Sequence, residues 1–276
     1  MNIEGILFPA ISLGGLGLLF GAGLAFASQK FKVDVDPKIT TIRDLLPGAN
    51  CGGCGKPGCD SFAKAVAAGE APVDGCPVGG PELAQALAEV MGVEVAGSAK
   101  KVAKVICNGG SDKCKEKFVY NGIQDCIAAN MVNGGSKSCK YGCLGLGTCV
   151  TACQFDAIEI TDTGLAKIIP EKCTACLKCV EVCPKNVITM VPFEQEVIIT
   201  CNSNDPGKAV RQKCSVGCIA CQICVKACPE QAIDFENNLA FINYDKCTNC
   251  YICVEKCPTK AIEGRLKKTE ESPEAV

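Results

Sequence analysis

The chain opens with a long apolar run and continues with shorter alternations of apolar and polar residues. Residues 5–27 contain no charged side chain, and a helix of that length, rising about 1.5 Å per residue, crosses a hydrocarbon core of about 30 Å. Helical periodicity recurs farther along, and the C-terminal half contains short apolar runs between turn residues. The pattern predicts further helices at 38–46, 61–69 and 81–91, and short strands near 155–160, 167–170, 186–191, 232–235, 240–243 and 261–263.

The charges beside the apolar run predict how it lies in a membrane. Glu4 precedes it, whereas Lys30 and Lys32 follow it, and positive residues tend to stay on the cytoplasmic side. We therefore expect a single-pass anchor in the cytoplasmic membrane, with the rest of the chain on the cytoplasmic side. Residues 25–27 resemble a signal-peptide cleavage site, but no basic segment precedes the run and the run is too long. A GxxxG pattern at 17–21 favours partner membrane helices over a purely lipid-facing helix.

Cysteine dominates the chemistry available to the chain. It accounts for 25 of the 276 residues, while histidine and tryptophan are absent. Without histidine there is no Cys–His zinc site, no Rieske centre, no histidine-ligated haem and no Ser–His or Cys–His catalytic pair. Neither a dinucleotide-binding glycine motif nor a P-loop occurs, so we expect no nucleotide site on this chain. We expect no nucleic-acid partner either.

The cysteines of the C-terminal half follow the pattern CxxCxxCxxxCP. It occurs at 173–184, 218–229 and 247–258. In two-cluster ferredoxins, three thiolates of one such run and the fourth of another hold a [4Fe–4S] cluster, which transfers single electrons. The spacing is too short and too regular for a disulfide framework, and a zinc site needs neither the third cysteine step nor the CxxxCP ending. The motif predicts iron–sulfur electron transfer.

A different cysteine arrangement lies between the apolar run and the repeated motifs. Cys51, Cys54 and Cys59 stand in the sequence CGGCGKPGC, and Cys76 follows before a proline. Glycines let the backbone fold tightly around a cluster. With the predicted helices around it, this indicates a small, mostly α-helical [4Fe–4S] domain over residues 30–96, after an anchor over 1–29. Zinc is the alternative occupant.

The C-terminal half is an internal duplication. The cysteines at 143–153 precede those at 218–228 by 75 residues, and the run at 173–183 precedes the run at 247–257 by 74. We therefore expect two tandem α+β two-cluster ferredoxin-like units in a multidomain chain. The predicted divisions are units at 139–190 and 214–263, connecting segments at 97–138 and 191–213, and a disordered tail at 264–276.

The ferredoxin crossing rule distributes the cysteines of the units over four clusters. One position is irregular, because Leu146 stands where the second unit has Cys221. Cys139, four residues before Cys143, is expected to supply the missing thiolate. The predicted sets are Cys139, Cys143, Cys149 with Cys183; Cys173, Cys176, Cys179 with Cys153; Cys218, Cys221, Cys224 with Cys257; and Cys247, Cys250, Cys253 with Cys228. With the Cys51, Cys54, Cys59 and Cys76 set, the chain is expected to hold five [4Fe–4S] clusters.

Five cysteines remain outside these sets: Cys107, Cys114, Cys126, Cys201 and Cys214. A free cysteine is often a small buried hydrophobic residue. Two interpretations therefore stay open, namely unligated core cysteines or a sixth cluster held by four of the five. Iron content separates them, at about 20 versus about 24 atoms per chain.

The formal net charge is −2, and five thiolate-held clusters would add roughly −10. Residues 96–140 depart from this acidic balance with eight lysines: Lys100, Lys101, Lys104, Lys113, Lys115, Lys117, Lys137 and Lys140. One interpretation is a surface that steers an acidic electron donor. The other is an ordinary solvated surface that balances cluster charge.

The order of these modules resembles a known family. A glycine-rich membrane helix, then CGGCGKPGC, then KSCKYGCLGLGTCVTAC and tandem ferredoxin motifs are together similar to the B subunits of Rnf complexes in their long clostridial form. The resemblance covers essentially the whole chain. It implies a component of an ion-translocating ferredoxin:NAD⁺ oxidoreductase that takes electrons from reduced ferredoxin. Because the Cys51–Cys76 cluster lies closest to the membrane helix in the sequence, we expect electrons to leave through it to membrane partners.

The resemblance also implies that the flavin and NAD sites belong to other subunits. Two alternatives remain at this point. One is a polyferredoxin-type subunit of another membrane oxidoreductase. The other is an independent reductase with an open cluster site at the Leu146 position.

Overall fold

The structure is a computed structural model that describes residues 3–31, 36–95 and 99–264. Its first element, α1, covers Ile3–Lys30 and contains the predicted membrane run. Residues 11–30 are long and apolar enough to cross a membrane, by length and composition. Leu13, Leu18 and Leu24 are all exposed, and a Cβ added at the glycines of the GxxxG pattern meets nothing within 4 Å. The apolar surface of α1 over residues 11–30 is therefore available to lipid or to other membrane helices.

Three helices form a small domain after α1: α2 (Pro37–Leu45), α3 (Cys59–Ala67) and α4 (Gly80–Met91). They match the three predicted helices to within two residues. Asp36 caps α2 by accepting the N–H of Lys38, and Pro37 stands at its first position, where a missing N–H costs nothing. Ile42, Phe62 and Leu87, one from each helix, are almost completely buried together. This core supports the loop that carries Cys51 and Cys54.

The first ferredoxin-like unit contains two antiparallel strand pairs and three short helices. Its elements are β1 (Lys101–Val105), α5 (Cys126–Met131), α6 (Thr148–Ala152), β2 (Ile158–Ile160), β3 (Ala166–Ile168), α7 (Lys178–Glu181) and β4 (Ile188–Pro192). Strand β1 pairs with β4 and β2 pairs with β3. Val102, Val187 and Val191 are fully buried in the core between these elements.

The second unit repeats this plan. Its elements are β5 (Ile198–Ile199), α8 (Gly207–Lys213), α9 (Ile223–Ala227), β6 (Ile233–Glu236), β7 (Leu239–Ile242), α10 (Ile252–Lys256) and β8 (Ile262–Glu263). Strand β5 pairs with β8 and β6 pairs with β7. Val197 and Ile233 lie in its core with two cysteines, Cys224 and Cys253.

The structure adds two strands that the sequence pattern did not predict. All six predicted strands are present, but β1 and β5 lie in the segments predicted to be connectors, 97–138 and 191–213. Each pairs with the last strand of its unit, so it covers backbone groups that would otherwise form an open sheet edge. The two strands therefore connect these segments to the units by backbone hydrogen bonds. The predicted tail beyond residue 264 lies outside the described residues.

Candidate iron–sulfur sites

The three CxxCxxC loops share an unusual backbone. In each, the residues before and after the second cysteine have positive φ: Ala175 and Leu177, Ala220 and Gln222, Asn249 and Tyr251. Left-handed backbone is costly for residues other than glycine and persists only where its surroundings impose it. The repeated geometry curls all three loops in the same way, and the Cys173 and Cys247 loops each line a cavity with their cysteines.

Three cavities are lined by four cysteines each. We name each by one cysteine. The Cys51 site contains Cys51, Cys54, Cys59 and Cys76; the Cys173 site contains Cys153, Cys173, Cys176 and Cys179; and the Cys247 site contains Cys228, Cys247, Cys250 and Cys253. In each, the structure brings together the four cysteines that the sequence grouped.

A fourth set, the Cys218 site, consists of Cys218, Cys221, Cys224 and Cys257. Burial raises the pKa of Cys224 to about 11, and the neighbouring charges of the other three thiols contribute to this rise. Burial likewise raises the pKa of Cys179 to about 12 in the Cys173 site, again with three thiols nearby. Such crowded thiols become thiolates when a metal binds them, because the metal charge outweighs their mutual repulsion.

Backbone N–H groups point at the sulfur atoms of these sites. The N–H of Ala157 donates to Cys153 Sγ at 3.4 Å, and the equivalent contacts are Ala232 to Cys228 at 3.3 Å and Ala261 to Cys257 at 3.2 Å. Donors to sulfur stabilise thiolates and adjust the reduction potential of a cluster. The donor pattern therefore fits thiolate-held clusters.

Another cavity differs from the predicted set by one cysteine. Cys126, Cys143, Cys149 and Cys183 line it; we name it the Cys126 site. Cys139, the predicted fourth member, does not line it. Burial raises the pKa of Cys149 to about 12, with the charges of Cys143, Cys126 and Cys183 next in importance. Four cysteines therefore surround this cavity although Leu146 replaces the usual second cysteine.

Local hydrogen bonds explain why Cys126 takes this place. Asp125 caps α5 by accepting the N–H of Ala128, and Thr148 Oγ1 accepts the N–H of Cys126 at 2.6 Å. These contacts hold Cys126 beside α6, which carries Cys149. Gly145 and Gly147, on either side of Leu146, keep the left-handed backbone of the other cluster loops. The loop thus has its usual shape, and the fourth thiol comes from a different segment. This geometry therefore does not leave an open three-cysteine site at Leu146.

The remaining five cysteines meet in one further cavity, which is lined by Cys107, Cys114, Cys139, Cys201 and Cys214. We name it the Cys107 site. The Cys114 thiol hydrogen-bonds to Cys214, which together with burial raises the pKa of Cys114. The two residues also face each other in an isolated β-bridge. The sequence left Cys126 among the five cysteines available to a sixth cluster. In the structure, Cys139 stands in this group in place of Cys126.

The Cys107 site lies where the two units meet, and the two units contribute equivalent segments to it. The N–H of Ile106 donates to Val187 O and that of Thr200 to Ala261 O, both at 2.8 Å. Cys107 and Cys201 follow directly, so they occupy matching positions at the ends of β1 and β5. The next residues reach across, with Asn108 Nδ2 donating to the Glu263 carboxylate of the second unit and Asn202 Nδ2 donating to Lys185 O of the first at 3.2 Å.

A buried cation accompanies the Cys107 site. Lys137 is 3% exposed, and its Nζ donates to Gly109 O at 2.8 Å. A Cβ on Gly109 would lie 3.3 Å from Cys214 Sγ and 3.8 Å from Cys107 Sγ. The charge of Lys137 opposes the burial-driven rise in the pKa of Cys143. A buried ammonium group requires compensating negative charge, which thiolates around a cluster would supply.

The spacing of the cysteines fits clusters better than single ions. Among the described residues, no three His, Cys, Asp or Glu side chains converge closely enough to hold one metal ion. A structural zinc site needs four sulfur atoms at about 2.3 Å from one centre. Cavities lined by four cysteines, with N–H groups directed at the sulfur, suit a [4Fe–4S] core.

Comparisons with known proteins agree with this chemistry. Residues 46–78 match a family model described as "Putative Fe-S cluster", and residues 172–233 and 217–261 match two models described as "4Fe-4S dicluster domain". The chain is 54% identical over 245 residues to the B subunit of the Na⁺-translocating ferredoxin:NAD⁺ oxidoreductase complex of Acetobacterium woodii, covering 89% of this chain and 74% of that protein.

Two further relatives extend the same likeness. The B subunit of an ion-translocating oxidoreductase complex of Methanosarcina acetivorans is 45% identical, covering 86% of this chain and 89% of that protein. The B subunit of the proton-translocating ferredoxin:NAD⁺ oxidoreductase complex of Clostridium ljungdahlii is 42% identical, covering 84% and 82%. Each of the three matches covers more than four fifths of this chain.

Proposed function

This chain belongs to the B subunits of ion-translocating ferredoxin:NAD⁺ oxidoreductase complexes and is their membrane-associated iron–sulfur electron-transfer subunit, and we propose that its six cysteine sites hold six [4Fe–4S] clusters that act in series. Each cluster supplies reversible one-electron chemistry when bound. The proposed ligands are the four cysteines of the Cys51, Cys126, Cys173, Cys218 and Cys247 sites, and four of the five in the Cys107 site.

The contacts between sites carry the proposal of a series. In the first unit, Cys179 of the Cys173 site is close enough to contribute to the raised pKa of Cys149 in the Cys126 site. Cys143 of the Cys126 site donates its N–H to Cys107 Sγ at 3.3 Å. The Cys107 site thus touches the first unit directly through a ligand residue.

The series continues in the second unit. Burial raises the pKa of Cys201 to about 11, and Cys218 acts on it in two opposing ways, through its N–H and through its charge. Cys201 therefore lies beside the Cys218 site as Cys107 lies beside the Cys126 site. Cys224 of the Cys218 site in turn contributes to the raised pKa of Cys253 in the Cys247 site. The Cys107 site lies between the two units, and a cluster bound there would allow electron transfer from one unit to the other.

The remaining connection leads toward the membrane. Gly53 of the Cys51 site lies against the backbone of Cys176 in the Cys173 site. The Cys51 site belongs to the helical domain that follows α1. These contacts support a continuous line of neighbouring sites, Cys247, Cys218, Cys107, Cys126, Cys173 and Cys51, in which electrons enter at a site of the tandem units and leave near the anchor. By the positive-inside rule, Lys30 after the apolar run supports a cytoplasmic position for the cysteine domains.

Reduced ferredoxin is the proposed electron donor to the tandem units. Of the eight lysines between residues 96 and 140, Lys137 is buried and is excluded from a docking surface. Lys100, Lys101, Lys115, Lys117 and Lys140 are exposed. These five form the proposed steering surface for an acidic protein, through long-range attraction that salt screens.

Iron and sulfide content test the number of clusters. The complex would be purified without oxygen through this chain, and this chain would then be separated for analysis of iron and acid-labile sulfide. About 24 iron atoms per chain support six clusters, whereas about 20 overturn the sixth. Protease accessibility of the cysteine domains in inverted and right-side-out vesicles tests the proposed sidedness.

A further inference from the structure

We infer that Gly53 is a positioning residue that sets the separation between the Cys51 site and the Cys173 site. It would thereby set the rate of electron transfer out of the tandem units. The inference rests on the proposed clusters at these two sites. It concerns the connection in the proposed series that joins the helical domain to the first ferredoxin-like unit, each of which has its own core.

Gly53 lies in a narrow gap between the two domains. A Cβ at this position would be 3.1 Å from both Cys176 Cα and Cys176 O, and 3.0 Å from Pro77 Cγ. Contacts between 3.0 and 3.4 Å force the neighbouring atoms to move by a few tenths of an ångström. Here one neighbour is the backbone of a ligand of the Cys173 site. The other is the ring of the residue that follows Cys76.

Neither neighbour can yield easily. Cys176 lies between Ala175 and Leu177, which both have positive φ, so its backbone position is fixed by an unusual loop geometry. Pro77 has a closed ring and a restricted φ. A side chain at position 53 would therefore push the whole Cys51 loop away from the Cys173 loop, and would not be absorbed by a rotamer change.

The backbone conformation alone does not require glycine at position 53. Gly52 and Gly55, its neighbours in the CGGCG sequence, have φ of +75°, a conformation that favours glycine. Gly53 lies outside this left-handed region, so an alanine would fit its backbone without strain. What explains the missing side chain is the close approach of Cys176. Close approach matters for tunnelling, because the rate falls exponentially as the distance between redox centres grows.

Two graded substitutions and one matched control test this inference in the assembled complex. Gly53→Ala adds one methyl group and Gly53→Val adds three carbon atoms at the interface. Gly55→Asn is the control, because Asn tolerates positive φ and a Cβ there meets nothing within 4 Å. For each variant, iron content, amide hydrogen exchange of segments 51–59 and 173–178, and the rate of reduction of the Cys51 cluster after mixing with reduced ferredoxin are measured.

For the two Gly53 variants we expect full iron content, faster amide exchange in both segments, and several-fold slower reduction of the Cys51 cluster than in the wild type. The effect should be larger for Gly53→Val than for Gly53→Ala and absent in Gly55→Asn. If Gly53→Val loses iron, the amide exchange and the reduction rate of Gly53→Ala decide whether the inference holds. Unchanged exchange and an unchanged rate in an iron-replete Gly53→Ala protein would overturn the inference. A wild-type chain without a cluster at the Cys51 site would instead overturn the proposed function.

Discussion

Thr148 Oγ1 accepts the backbone N–H of Cys126 at 2.6 Å and donates to Asp125 Oδ2 at 2.7 Å. This one hydroxyl joins the start of α5 to the start of α6 and holds Cys126 and Cys149 beside the same cavity. Thr148→Val keeps the shape of the side chain but removes both hydrogen bonds. We expect a loss of about 1–2 kcal/mol of stability and faster loss of iron from the Cys126 site. Thermal unfolding and iron release to a chelator measure these effects.

Thr151→Val is the matched control for this prediction. Thr151 lies on the same helix, but its hydroxyl makes only a long contact of 3.4 Å to Gly147 O and is exposed. Surface substitutions of this kind usually change stability by about 0.5 kcal/mol or less. Equal iron release from both variants would contradict the role given to Thr148.

Cys126 and Cys139 should respond differently to replacement by serine. The Cys126 site has four cysteines and no spare, so Cys126→Ser should lose or alter one cluster. The Cys107 site has five, so the single variant Cys139→Ser should retain a cluster there. The double variant Cys139→Ser with Cys214→Ser leaves three thiols and should lose about 4 iron atoms. Iron analysis with electron paramagnetic resonance distinguishes these outcomes.

The reverse result would restore the ligand assignment predicted from the sequence. In that case Cys139→Ser would disturb the signal of the first unit, and Cys126→Ser would leave the iron content unchanged. Cys114→Ser offers a further control, because it also leaves four cysteines at the Cys107 site.

The cysteine spacing was enough to predict which cysteines lie together at the four regular sites, because neighbouring cysteines within a short loop are also neighbours in space. At Leu146 the structure brings together a different group, for a physical reason. Cys139 is near Cys143 in sequence, but the Asp125–Thr148 hydrogen bonds bring in Cys126 from farther away. Only a three-dimensional structure shows this pairing. The same holds for β1 and β5, whose partners lie at the far ends of their units.

Lys137 should raise the reduction potential of a cluster in the Cys107 site. It is buried, and its ammonium group donates to Gly109 O beside Cys107 and Cys214. A nearby positive charge favours the more negative, reduced state. We therefore expect Lys137→Met to lower the potential of this cluster or to weaken its binding. Potentiometric titration followed by electron paramagnetic resonance measures the shift.

Lys140→Met is the control for the buried lysine. Lys140 is exposed and lies 3.7 Å from Asp205, so solvent screens its charge. An equal shift in both variants would mean that general protein charge, and not the buried ammonium group, sets the potential.

The exposed lysines of the first unit should affect ferredoxin turnover through long-range attraction. Lys115→Gln, Lys117→Gln and Lys140→Gln together should slow turnover most at low ionic strength, where the Debye length is long. The difference from wild type should shrink as salt is added. A triple variant with Lys246→Gln, Lys256→Gln and Lys260→Gln, exposed lysines of the second unit, removes the same net charge elsewhere. An equal salt dependence in the two triple variants would argue against a steering surface at the first unit.

Cys76 provides the test of serial order. Cys76 completes the Cys51 site, where burial and the charges of Cys54 and Cys51 contribute to its raised pKa. If the Cys51 site is the last in the series, Cys76→Ala should leave ferredoxin binding and reduction of the tandem units intact but stop NAD⁺ reduction by the complex. Asp74→Ala, an exposed neighbour, should behave as wild type. Ferredoxin-dependent NADH formation, measured beside stopped-flow reduction of the clusters, separates the two steps. Normal NADH formation by Cys76→Ala would show that electrons leave the tandem units by another route.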